Sequence, residues 1–189
     1  MKRTGTILAA LAIITICFAG SARAQTAPTH KNFGGGFHNV EAPLGFRWWF
    51  GEQKLALDFG LGFGSEPAGI APDERVKNYT FEVGVPIVLS SWDRVHAILR
   101  PGLMHHTQQI GFDADPGTPG VQFDTENETR LDVVLEGEAE VFVADNFSVS
   151  AAHGFGLHRF DPGFGGDTET TYGTQGNNFT TIGFHIYVK

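Results

Sequence analysis

The sequence predicts an all-β chain, folded as a closed, up-and-down antiparallel barrel of eight strands that crosses a membrane. Three observations carry that expectation. Residues 54–64 alternate strictly: Leu55, Leu57, Phe59, Leu61 and Phe63 are large and apolar, while Ala56, Asp58, Gly60, Gly62 and Gly64 are small or polar. A period of two is the mark of a strand with two unlike faces. Very short and long connections then follow one another in strict alternation along the chain, as in a barrel whose hairpins put all short turns at one end. Finally, no segment after the first residues is apolar enough for a spanning helix, so a membrane crossing has to be made by strands.

With 189 residues the chain is expected to form a single domain. Residues 1–24 read as a cleaved export signal. Lys2 and Arg3 are followed by an apolar run over 7–18 and by the small-x-small site Ala22-Arg23-Ala24. That run is shorter than the roughly 20 residues a membrane span needs. Cys17 is the single cysteine and leaves with the signal, so the exported chain has no disulfide and no thiol chemistry. Cleavage lowers the Lys+Arg count from 13 to 10 against 21 Asp+Glu, a net charge of −11, which makes nucleic acid a poor partner.

Residues 25–31 read as a short leader, and 32–189 as the barrel domain. A first strand over 32–38 rests on Phe33 and Phe37 around Gly34-Gly35-Gly36 and is the weakest of the eight. Over 44–50, Leu44, Phe46, Trp48 and Phe50 oppose Gly45, Arg47 and Trp49. After a turn at 51–53 comes the strand described above. A loop is expected over 65–75, where Pro67, Gly69 and Pro72 act as breakers. Over 79–89, Tyr79, Phe81, Val83, Val85 and Ile87 oppose Thr80, Glu82 and Gly84, and a turn at 90–93 follows. Over 94–107, Val95, Ala97, Leu99 and Leu103 oppose Arg94, His96, Arg100 and His106. The longest loop is expected over 108–127. Over 130–143, Leu131, Val133, Leu135, Ala139 and Val141 oppose Arg130, Asp132, Glu136, Glu138 and Glu140. A turn at 144–146 leads to 147–160, where Phe147, Val149, Ala151, Phe155 and Leu157 oppose serines, alanine and glycines. A loop over 161–176 precedes the last strand, 178–189, in which Ile182, Phe184, Ile186 and Val188 oppose Thr181, Gly183, His185 and Tyr187. Pro86 and Pro101 fall inside strands of a sheet without edges, so each requires a local irregularity.

This pattern resembles the small eight-stranded outer-membrane barrels of Gram-negative bacteria, the family typified by the OmpA transmembrane domain and OmpX. The resemblance covers the whole exported chain as pattern. The last strand, Phe184-x-Ile186-x-Val188, has the alternation that such chains show to the insertion machinery, but ends in Lys189 where they carry an aromatic. The resemblance implies residence in the outer membrane, contact with its lipid and lipopolysaccharide, the barrel-insertion machinery as a partner during biogenesis, and a monomeric state. Trp48, Trp49, Trp92, Tyr79, Phe50 and Phe147 stand near strand ends, as interfacial girdles do.

By parity the inner face holds a lumen charge network: Arg47, Asp58, Glu82, Arg94, Arg100, Arg130, Asp132, Glu136, Glu138 and Glu140, with His96, His106, His158 and His185. An eight-stranded barrel is just wide enough to be filled by its own side chains, and buried charges have to be paired. Two readings stay open, a structural plug and a gated narrow pore. No catalytic, cofactor or metal site is expected. His105 and His106 point to opposite faces of a strand, and Asp113-x-Asp115 lacks the continuation of a calcium loop. In lipid A deacylases, which resemble this pattern, the catalytic His is followed two residues on by Ser; here His153 is followed by Phe155. The expected role, implied by the resemblance, is non-enzymatic: envelope support, or surface contact through the long loops. Alternatives are a narrow solute or ion pore, and a soluble periplasmic barrel of lipocalin type with the Leu55–Phe63 rail turned inward around an apolar ligand.

Overall fold

The structure, a computed structural model, describes residues 32–115, 117, 122–174 and 180–188. The expected signal over 1–24, the leader over 25–31, and the Lys189 terminus lie outside the described residues. Ten β-segments are present: β1 (Phe33–Phe37), β2 (Leu44–Phe50), β3 (Leu55–Ala68), β4 (Ala71–Gly84), β5 (Ile87–Trp92), β6 (Val95–Asp113), β7 (Phe123–Ala144), β8 (Phe147–Asp161), β9 (Glu169–Gly173) and β10 (Thr180–Val188). They occupy eight wall positions in a closed antiparallel barrel, with β1 sealing against β10 from Phe33↔Val188 to Phe37↔Phe184. β4 and β5 share one position between β3 and β6. β9 and β10 share another, both pairing with β8.

The break between β4 and β5 accounts for both prolines. Val85 donates its N–H to the Pro101 carbonyl (2.9 Å), and Ala56 donates to the Pro86 carbonyl (2.9 Å). Each proline lacks the N–H that would return the second bond of its pair, so the ladder lapses there without a change of register. The extra residue is absorbed further on, at a shift between Val88 and Ser90, and the turn follows Trp92.

The strands alternate as expected, with Leu61, Phe63, Leu131, Val133, Leu135 and Phe155 exposed and the residues between them largely buried. Strand extends into all three expected loops. Over 65–75, β3 runs to Ala68 and β4 begins at Ala71. Pro67 is tolerated because β2 pairs with β3 only as far as Leu61, leaving that side of β3 a free edge beyond the closed wall. Over 108–127, β6 continues to Asp113 and β7 begins at Phe123; within 161–176 lies β9. Gly/Pro/Asp-rich sequence here makes projecting hairpins, because a two-stranded ribbon exposes both edges and accepts residues that a closed wall rejects.

The connection between β1 and β2 has a different fate. Residues 38–43 turn into the barrel, leaving His38, Asn39 and Ala42 buried. Glycines make room for them: a Cβ on Gly45 would strike His38, one on Gly60 would strike Ala42, and one on Gly62 would strike the Glu41 backbone.

Candidate functional site in the barrel lumen

The lumen is built in three layers. At the short-turn end lies an aromatic floor of Trp49, Ala56, Ile98, Phe142 and Tyr187, with Val88 packed against it. His96 meets the rings of Trp49 and Phe142 edge-on at 5.8 and 5.0 Å. Trp49 was expected in an outer girdle by its place at a strand end. It is fully buried instead, because strand parity puts it on the same face as Arg47. Trp49 Nε1 donates to the Tyr187 hydroxyl (3.2 Å), and that hydroxyl donates to Glu140 Oε1 (2.7 Å), which ties floor to middle.

The middle layer is ionic. Hairpin register sets Arg47 opposite Asp58. The guanidinium grips that carboxylate through Nε and Nη2, both at 2.8 Å, and extends across the lumen to Glu138 (2.9 Å) and Glu140 (3.1 Å). Arg100 approaches from β6: Nε donates to Asp58 Oδ2 (2.9 Å), Nη1 to Glu136 (2.6 Å) and Nη2 to Glu82 (2.6 Å). Asp58 thus bridges the two arginines. Fork-shaped guanidiniums suit this task, since each presents several donors in fixed directions. Ser148 donates to Glu140 Oε1 (2.6 Å). Five buried carboxylates, Asp58, Glu82, Glu136, Glu138 and Glu140, surround two buried guanidiniums in this layer. Glu138 Oε1 and both ring nitrogens of His185 make no hydrogen bond to another described residue, although His185 Nδ1 lies 3.9 Å from Glu140. The void beside Glu138, among His38, Arg47, Arg100 and Ser150, measures about 10 Å³. That is about the room a single water needs.

The third layer is the inturned loop. The Asn39 amide donates to Glu82 (2.6 Å), His38 Nε2 lies 3.1 Å from the other Glu82 oxygen, and Glu41 pairs with Arg130. Arg130 also donates to Asp132 (2.9 Å), which holds His158 at 2.6 Å.

Of the sequence-predicted network, Arg47, Asp58, Glu82, Arg100, Asp132, Glu136, Glu138 and Glu140 are buried. Arg130 is partly buried. Arg94 does not join them: its side chain is half exposed beyond the floor and meets Asp145 at 3.5 Å. The reason is position, since Arg94 lies in the short turn that links β5 to β6. His96 and His185 are buried, while His106 bonds Thr80 (2.8 Å) nearer the rim. His153 lies outside, bonded to Thr180 (2.7 Å).

Sequence reasoning overlooked His38, Asn39, Glu41 and Ser148. The loop residues carried no alternation to mark them as inward. The signal was indirect: unbroken glycines at 60 and 62 on a face otherwise occupied by charge. Among the described residues the ionic layer is interlocked by its ion pairs, and the void beside Glu138 within it is too small for a substrate. Comparison of the chain with protein-family models, curated proteins and solved structures returned no match.

Proposed function

We propose that this chain is a non-enzymatic outer-membrane β-barrel protein that acts as a structural element of the envelope or makes surface contacts through its projecting hairpins. The observation that carries the reading is the inversion of ordinary packing: apolar rails face outward around the barrel, and ionisable groups occupy its centre. Water-soluble barrels place bulk inside; a lipid-facing barrel does the reverse. The rail from Leu55 to Phe63 is nine residues long, about 30 Å along the strand at about 3.3 Å per residue. Allowing for strand tilt, that suits an apolar band about 25 Å tall. Trp48, Phe50, Leu55 and Trp92 stand exposed near the short turns, and Phe63, Tyr79 and Tyr172 at the other end of the rails.

A lipocalin-like role requires the rails to converge on an interior cavity, and they face the other way. A pore reading draws on the charged lumen, but the aromatic floor and the inturned loop each interrupt the axis. The test is heat-modifiable migration on a denaturing gel after detergent extraction, followed by planar-bilayer recording. The expected result is a detergent-resistant fast-migrating form and no steady conductance. Release of native protein by osmotic shock without detergent overturns the membrane assignment, and steady conductance overturns the closed lumen.

A further inference from the structure

We propose that the barrel wall between β1 and β10 holds a lateral binding site for one single-chain amphiphile with a neutral, hydroxyl-bearing head. The inference rests on the membrane reading above. β1 ends at Phe37, opposite Phe184, whereas β10 continues to Thr180. Residues 180–183 of β10 therefore have β8 on one side and no β1 strand on the other. The missing stretch of wall is the connection 38–43, which turned inward to cap the ionic layer. A cavity of about 770 Å³ occupies the opening, within the range of about 300–1,000 Å³ typical of small-molecule sites.

The two ends of the cavity differ in chemistry. Its outer rim is made by Phe37, Val149, Ile182 and Phe184, members of the outward apolar rows, so a hydrocarbon chain passes into it without leaving an apolar surface. Its inner end is made by Asn39, Glu41, Met104 and Thr181. A sheet edge facing lipid needs hydrogen-bond partners that hydrocarbon does not supply, and a polar head at this depth supplies them.

Charge selects the head. The cation nearest the inner end, Arg130, is held by Glu41 and Asp132. Behind it the ionic layer carries five buried carboxylates against two guanidiniums, Arg47 and Arg100, both engaged. A carboxylate or phosphate head finds no uncommitted partner and a repulsive field. An ammonium head is drawn by the same field, but the carboxylate at the inner end, Glu41, is already engaged by Arg130. Hydroxyl or ester groups match the threonines and the carboxylate edge.

The experiment uses protein refolded into phosphatidylcholine nanodiscs, supplied with 1-monooleoylglycerol or with oleate. Retained ligand is counted by native mass spectrometry after release from the disc. The expected result is one monooleoylglycerol per barrel and about tenfold less oleate, a difference of about 1.4 kcal/mol. Val40→Trp and Ile182→Trp, each adding bulk at the cavity, are expected to cut retention about tenfold while heat-modifiable migration is unchanged. Equal retention of oleate, unchanged retention in both variants, or no retained monooleoylglycerol in a heat-modifiable barrel overturns the site. Loss of heat-modifiable migration in the unaltered protein overturns the membrane reading, and this inference with it.

Discussion

The backbone carbonyl of Glu41 packs against Gly62 so closely that the position has no room for a side chain. This contact, with those of Gly45 on His38 and Gly60 on Ala42, seats the inturned loop. Gly62→Ala is therefore expected to displace residues 38–43 and to cost about 1–3 kcal/mol, the range for overpacking. Limited proteolysis of the folded protein checks it, with new cleavage expected in that segment. Gly69→Ala, at a hairpin tip with open space around it, is the control and should leave the digestion pattern unchanged.

Arg100 serves Asp58, Glu82 and Glu136 together. Arg100→Met leaves buried carboxylates without their counter-charge and is expected to lower unfolding free energy by about 3–5 kcal/mol. Urea titration of the protein in lipid vesicles measures it. Arg100→Lys keeps the charge but loses the fork, and should fall between the methionine variant and the unaltered protein.

Leu135 is half exposed on the outer face of β7. If that face meets hydrocarbon, Leu135→Arg should destabilise the barrel by about 2–4 kcal/mol. On a wetted surface the same change should stay within about 0.5 kcal/mol. The same titration separates the two, and a cost below 1 kcal/mol, by order of magnitude, counts against lipid contact.

Trp49 is the largest of the fully buried side chains. Trp49→Ala is expected to cost about 3–5 kcal/mol through the cavity it opens, read again by urea titration. Bilayer recordings of this variant should remain silent, because the ionic layer and the loop close the axis independently of the floor.

The alternation in residues 55–63 and 131–141 made the two faces of the wall legible, since each pairs a greasy row with a bare or charged one. Faces are a local property of strands, and parity carries them faithfully; where parity and strand-end position disagreed at Trp49, parity prevailed. The hairpin extensions were hidden because proline and glycine mark a loop only inside a closed sheet. Pro67 sits on an edge, where its missing N–H costs no ladder bond. The plug was illegible for another reason. Nothing within 38–43 announces a partner more than 40 residues away, yet Asn39 and Glu82 are bonded. Likewise, parity pointed Arg47 and Glu140 inward, but their meeting depends on which strands face each other across the closed ring.

The β6–β7 ladder runs without a register shift from Val95↔Val141 to Asp113↔Phe123. Its neighbours fall away sooner: β4 leaves β6 after Gln108, and β8 leaves β7 after Thr129. What remains is a bare ribbon, steadied near its tip by Phe112 stacked edge-on against Phe164 at 4.8 Å. Along its paired residues, 109–113 with 123–127, such a ribbon is pre-shaped. A molecule that docks on it need not freeze a wandering chain, so attachment forfeits little entropy and is decided by the match of contours and charges.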